Sequence, residues 1–211
     1  MSLIATSSGS TEFKIPPAGN HVARCYRIID KGSHKNKFNN TLRKVLITWE
    51  LHGEDDEGLP LHTDEGKPLV VSAEYTLSLS DKAILRGHLE AWRNRPFTLD
   101  ELAGFDLKNI LGQFCMVSVA HEVSGAKTYA NVKAISPVPT VIKKAGLPEG
   151  VNEIFLFTLD DFDQAKFDKL SDNLKNKIME SPEYKNAISK KDVAKDGFPE
   201  KLSDMDDDIP F

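Results

Sequence analysis

Residues 43–52 (RKVLITWELH) alternate closely enough to define two faces. Val45, Ile47, Trp49 and Leu51 lie on one, Lys44, Thr48 and Glu50 on the other, and only Leu46 breaks the pattern. A period of two marks a strand with one face turned to a core. Residues 69–79 (LVVSAEYTLSL) repeat it, with Leu69, Val71, Ala73, Tyr75, Leu77 and Leu79 facing one way. A strand of mixed alternation is predicted over 21–30 (HVARCYRIID). Two more are predicted over 114–123 (FCMVSVAHEV) and 128–135 (TYANVKAI), with Ser124-Gly125-Ala126-Lys127 between them as a tight turn.

Between the third and fourth strands the period lengthens. Ile84, Leu85, Leu89 and Trp92 recur at helical spacing up to about Arg93, with Ser80 as the expected N-cap and Pro96 as the stop. Thr98 and Glu101 have the spacing of a capping box for one further short turn. Residues 31–42 read as a loop, from Gly32 and the Asn39-Asn40 pair, and 53–68 as an acidic solvated hairpin loop. Past Pro137 and Pro139, residues 153–158 fit an extra strand. Phe162, Phe167, Leu170, Leu174 and Ile178 then suggest short helices, and Ser181-Pro182-Glu183 starts another turn with Pro at the first helical position.

The chain therefore divides into a flexible arm (1–20), a β domain (21–139), an extension of short helices docked on it (140–191) and a disordered acidic tail (192–211). Three strands, a helix and two strands is the element order of the OB-fold. That fold is a mainly β, five-stranded antiparallel barrel with a helix between strands 3 and 4. Other small barrels and α+β sheets share this order. In a barrel, Leu85, Leu89 and Trp92 would plug one end, and Trp49 and Tyr75, on continuous apolar stripes, would enter the core.

Charge changes the picture through its distribution. The formal net charge is −5, yet Arg24, Arg27, Lys31, Lys35, Lys37, Arg43 and Lys44 fall between His21 and Thr48 with Asp30 as the only acid. Asp196, Glu200, Asp204, Asp206, Asp207 and Asp208 crowd the other end. Such asymmetry predicts a polyanion ligand and an interaction tail. No apolar run approaches the roughly 20 residues of a membrane helix. Cys25 and Cys115 read as core thiols of a reducing compartment, so a cytoplasmic location is expected. There is no phosphate-loop or dinucleotide motif, and the histidines lack zinc-type spacing with the cysteines. Neither catalysis nor a metal or other cofactor is expected. Ser124–Lys127 and Ser171-Asp172-Asn173 resemble hydrolase motifs only superficially, a turn and a helix explaining them better.

The last six residues close three aspartates with an apolar triplet: Asp206, Asp207, Asp208, Ile209, Pro210, Phe211. Acid beside an aromatic ring suits a pocket with a hydrophobic floor and a basic rim, and Pro210 lowers the ordering cost of docking. This segment resembles the C-terminal tip of bacterial single-stranded DNA-binding proteins. From about Pro17 to Pro139 the chain is similar to single-stranded DNA-binding proteins of bacteriophages. The carriers are Trp49-Glu50-Leu51, Tyr75-Thr76-Leu77-Ser78-Leu79, and Trp92-Arg93 followed by Phe97-Thr98. The resemblance implies a barrel that coats single-stranded DNA with little sequence preference. It also implies a tip that recruits replication, recombination and repair proteins, and a homodimer is compatible with it. Strand binding needs cations for phosphates and rings for bases. Arg24, Tyr26, Arg27, Lys31, Lys35, Lys37, Phe38, Arg43 and Lys44 form the expected track, with Lys127 and Lys133 as second contacts. Rival readings are an interaction adaptor built on an OB-like barrel, an annealing factor and a nuclease.

Overall fold

A computed structural model describes residues 14–196 of the chain. The tail segment 206–211 lies outside the described residues. Strand β1 (Gly19–Lys35) runs for 17 residues and pairs antiparallel with β2 (Thr41–His52), from Val22 opposite His52 to Lys35 opposite Thr41. β2 pairs in turn with β3 (Val70–Thr76). Helices α1 (Ile84–Arg93) and α2 (Leu99–Ala103) and a 3-10 turn (Leu107–Ile110) follow. β4 (Phe114–Ser124) returns to the first third of β1, placing Arg24 opposite Phe114, and β5 (Lys127–Ser136) pairs with β4. The extension holds α3 (Thr140–Ala145), β6 (Phe155–Phe157), α4 (Gln164–Asp168), α5 (Asp172–Met179) and α6 (Pro182–Asp196).

Local chemistry explains several boundaries. The capping box at α2 is formed in both directions: Glu101 N donates to Thr98 Oγ1 (3.3 Å) and Thr98 N to Glu101 Oε2 (3.0 Å). The first helix is capped by Ala83 rather than Ser80, and Asn94, at φ 53°, ends it in the left-handed conformation that asparagine tolerates. The supposed loop 31–35 is the far end of β1. Gly32 sits at an irregularity of the ladder with φ 74°, and its backbone N–H donates to Asp30 Oδ1 at 2.9 Å.

The expected closed five-stranded barrel is corrected by the strand order. Six strands form an open sheet along the path β3-β2-β1-β4-β5, with β6 parallel to β1 off that path. Among the described residues no ladder joins the end strands β3 and β5, although they approach each other. The edge of β1 is divided instead: β4 occupies Gly19–Arg24, and β6 takes Arg27–Ile29. A single helix between strands 3 and 4 is also too few, since α1, α2 and a 3-10 turn lie there. Alternation fixes which face of a strand is buried. It does not fix which edge meets which, and that is where the barrel expectation goes astray.

The sheet is buried on both faces where β1 and β2 cross it. One core gathers Cys25, Val45, Ile47, Trp49, Leu51, Tyr75, Leu85, Leu89, Trp92 and Val117. A second, on the opposite face, gathers Ile29, Phe157, Leu159, Phe167, Leu170 and Ile178, with Leu46 packed against it. Leu46, the odd residue of the β2 alternation, is thus accounted for by the extension that covers its face. No described helix is long and apolar enough to cross a membrane.

Candidate functional site

The cations expected to form one track are largely bound within the molecule. Arg24 Nε donates to Glu50 Oε1 at 2.6 Å, and its Nη2 reaches the Asn152 carbonyl. Glu50 is fully buried and also accepts from Asn152 N (2.7 Å), Asn152 Nδ2 (2.6 Å) and Val151 N (3.1 Å). Burial alone would raise this carboxyl, but these donors outweigh it and hold the group below the usual range. Arg43 bridges Asp30 and Asp160, Lys31 pairs with Glu74, Lys44 donates to Thr76 Oγ1 (3.0 Å), and Lys133 lies 3.7 Å from Glu122. Arg27 stacks on Tyr26, its carbon 5.8 Å from the ring centroid. Burial pushes the Tyr26 hydroxyl up, and Asn152, Glu153, Phe155, Lys169 and Leu170 line the hollow beside it. Lys35, Lys37 and Phe38 stand apart at the β1–β2 hairpin. There Phe38 is 72% exposed with the Lys37 ammonium 5.2 Å from its centroid. Lys127 belongs to the separate β4–β5 turn.

A better-formed site lies at the end of α1, where sequence reasoning sought none. A cavity of about 440 Å³ opens between the α1 C-terminus, α2, the start of β4 and α3. Trp92, Phe105, Ile110, Phe114 and Val138 give it an apolar lining, and Arg93, Arg95 and Lys143 give it cations. Leu89 and Trp92 face the core, so the following residues are carried out over the cavity as α1 terminates. Trp92 Nε1 donates to the Phe114 carbonyl at 2.9 Å, tying the helix end to β4.

Glu101 is the one carboxylate on this wall, and two guanidiniums share it. Arg95 engages it with both nitrogens, Nη2 to Oε1 at 2.7 Å and Nη1 to Oε2 at 3.1 Å, and Arg93 bonds the same Oε1. The Arg95 bonds first, then the Thr98 N–H and Arg93, lower the Glu101 carboxyl to about 2. Arg93 also lies over two rings, 4.5 Å from the Phe97 centroid and 5.2 Å from that of Phe105. Its Nη1 is buried with no acceptor. Three cations against one carboxylate leave the wall electropositive, with apolar surface alongside. Such a wall can hold an anion that carries an apolar group. The available sequence signal was Arg93 and Arg95 at a helix stop, with the Glu101 of a capping box six residues on.

A second cavity, about 330 Å³, has an apolar floor that includes Ile28, Val45, Leu77 and Phe157. Its carboxylates are committed: Asp30 and Asp160 to Arg43, Asp106 to the Lys108 N–H at 2.8 Å. Among the described residues no cluster of His, Cys, Asp and Glu could hold a metal ion.

The open sheet removes the basis for single-strand coating, because the closed barrel that was to hold the strand is not formed. The adaptor, annealing and nuclease readings built on the same barrel fall with it. No protein-family model matches the chain, and no curated protein matches it, so the likeness to phage single-stranded DNA-binding proteins has no independent support.

Proposed function

We propose that this chain works by binding rather than by catalysis, and that it takes up acidic peptide segments bearing an apolar or aromatic residue. The cavity beside Trp92 and Phe105 is the receptor. One observation carries the reading: Arg93, Arg95 and Lys143 meet the single Glu101 carboxylate on an aromatic wall. A peptide carboxylate would bond the half-exposed Arg95 guanidinium and the exposed Lys143 beside it, and guanidinium–carboxylate bonds are among the stronger ones proteins make. Its apolar residue would rest on Phe105 and Phe114. Recognition of acidic motifs by arginine clusters is a recurring mode. We place the work in the cytoplasm, in keeping with the two buried free thiols Cys25 and Cys115.

The test is fluorescence anisotropy with a labelled peptide of three aspartates followed by Ile-Pro-Phe, and a control with lysines for the aspartates. Binding should weaken as salt rises. Arg95 is half exposed, so Arg95→Ala leaves the fold intact. That change should weaken the peptide by about tenfold, equivalent to about 1.4 kcal/mol. Equal binding of the lysine control, or no effect of Arg95→Ala, refutes the reading.

A further inference from the structure

Resting on that reading, we infer that residues 139–149 form a strap that closes over the cavity when an acidic peptide enters it, drawn shut by Lys143. The strap is fixed at its two ends. Before it, Val138 is buried in the cavity wall. After it, Val151 N and Asn152 N donate to the buried Glu50 carboxylate. Arg24 lies against Gly150 there, so close that an added Cβ would fall 1.8 Å from the guanidinium carbon. Between these anchors little holds the chain. Helix α3 buries no side chain, and every strap residue but Ile142 is exposed. No side chain from 139 to 149 makes a hydrogen bond or ion pair among the described residues. Segments with so few buried contacts are the low-stability parts of a fold, from which moving elements are drawn.

The strap also has room to move. Lys143 forms part of the wall of the 440 Å³ cavity. Ala145, Gly146, Leu147 and Pro148 line a second hollow of about 410 Å³, over Val22, His52 and Gly53. Open space therefore lies beside both halves of the strap. Pro139 stiffens the entry to α3, and Gly146 ends the helix at φ 102°, a conformation that favours glycine and suits a hinge. A ligand shifts such an equilibrium only through a contact that differs between the two states. Lys143 supplies that contact. Its exposed ammonium has no acceptor among the described residues, and it gains a peptide carboxylate when α3 swings inward. Closure also excludes water from the wall, which strengthens the bonds from Arg95 to the same ligand.

The experiment follows amide hydrogen exchange in the full chain, free and saturated with the labelled Asp-Asp-Asp-Ile-Pro-Phe peptide, while anisotropy reports occupancy. Leu147 belongs to the second hollow and Glu149 lies beyond it, so a rigid cavity wall would leave their amides unchanged. A closing strap should slow both by about tenfold or more, and the lysine control peptide should slow neither. Lys143→Ala should still take up the peptide, more weakly, and lose the slowing. Bound peptide with Leu147 and Glu149 exchanging as in the free chain overturns the strap and leaves the peptide site standing. Slowing that survives in Lys143→Ala overturns that residue as the latch. Absence of any binding overturns strap and site together.

Discussion

Glu50→Gln should be the most damaging isosteric change in the molecule. The Glu50 carboxylate accepts three bonds at Oε1, from Arg24, Val151 and His52, and two at Oε2, both from Asn152. Its side chain has no exposed surface, so water cannot replace a lost partner. A glutamine must point its NH2 at one of these two sets of donors. Either orientation sets donor against donor and forfeits at least two bonds to a charged acceptor, each worth about 1.5–3 kcal/mol. It also leaves the Arg24 guanidinium, 13% exposed, without its counterion. Removing one partner of a buried pair costs about 3–5 kcal/mol, and both routes converge on about 4 kcal/mol. For a domain of this length that corresponds to a fall in Tm of about 8–16 °C. Arg24→Met should cost less, because Glu50 keeps its bonds from Val151 and Asn152. Calorimetry gives the Tm, and hydrogen exchange at Val151 and Asn152 shows whether the extension has come loose. A Glu50→Gln variant melting within about 3 °C of the parent, with those amides still protected, would refute the view that this carboxylate anchors the extension.

Acid should act through the same residue. Its carboxyl is held below the ordinary 4.5 in the fold, so its contribution is complete above that pH and lost as pH falls through the folded value. Burial lowers His52 from 6.5, and its contribution likewise shrinks as pH drops below 6.5. Melts between pH 7 and 3 should slope more gently in Glu50→Gln than in the parent, and identical slopes would contradict this. Gly32→Ala should cost about 3 kcal/mol or more, combining left-handed strain with overpacking. The backbone there has φ 74°, and a Cβ would fall 2.3 Å from that of Ser181. Gly53→Ala is the control, with a strained φ of 111° but open space around it. Denaturant melts should separate the two, and equal losses would show that the contact with Ser181 is unimportant. Cys25, its thiol pushed up to about 12 by burial, and Cys115, raised for the same reason, should resist iodoacetamide at pH 8. Rapid labelling of the folded chain by mass spectrometry would argue against both placements.

Alternation made β2, β3, β4 and β5 legible because each turns one apolar row to a core. What it could not show was the far face. Thr48 and Glu50 read as solvent-facing, yet both are fully buried: Val151 and Asn152 close over Glu50 from more than 100 residues away, and Thr48 meets the Ser72 hydroxyl of β3. The long β1 is a similar case. Lys31–Lys35 has the composition of a loop, and only its ladder to Arg43, Leu42 and Thr41, together with the packing of α6, keeps it extended. Pro182 at the first position of α6 and the Thr98–Glu101 box were readable, since both depend on neighbours within a turn.

The same distinction decides where free charge lies. A run of cations along a chain becomes an electropositive surface only where the fold brings no acceptors to meet it. Arg24, Lys31 and Arg43 meet carboxylates 26, 43 and 117 residues away, so the most basic stretch of sequence becomes a set of internal clamps. Arg93 and Arg95 draw no notice beside it, but a single glutamate serves them both at the edge of a cavity. The ratio of cations to carboxylates around an apolar cavity, rather than cations per segment, therefore locates the candidate surface. It places that surface at the end of α1, where neither the charge run nor the hydrophobic period points.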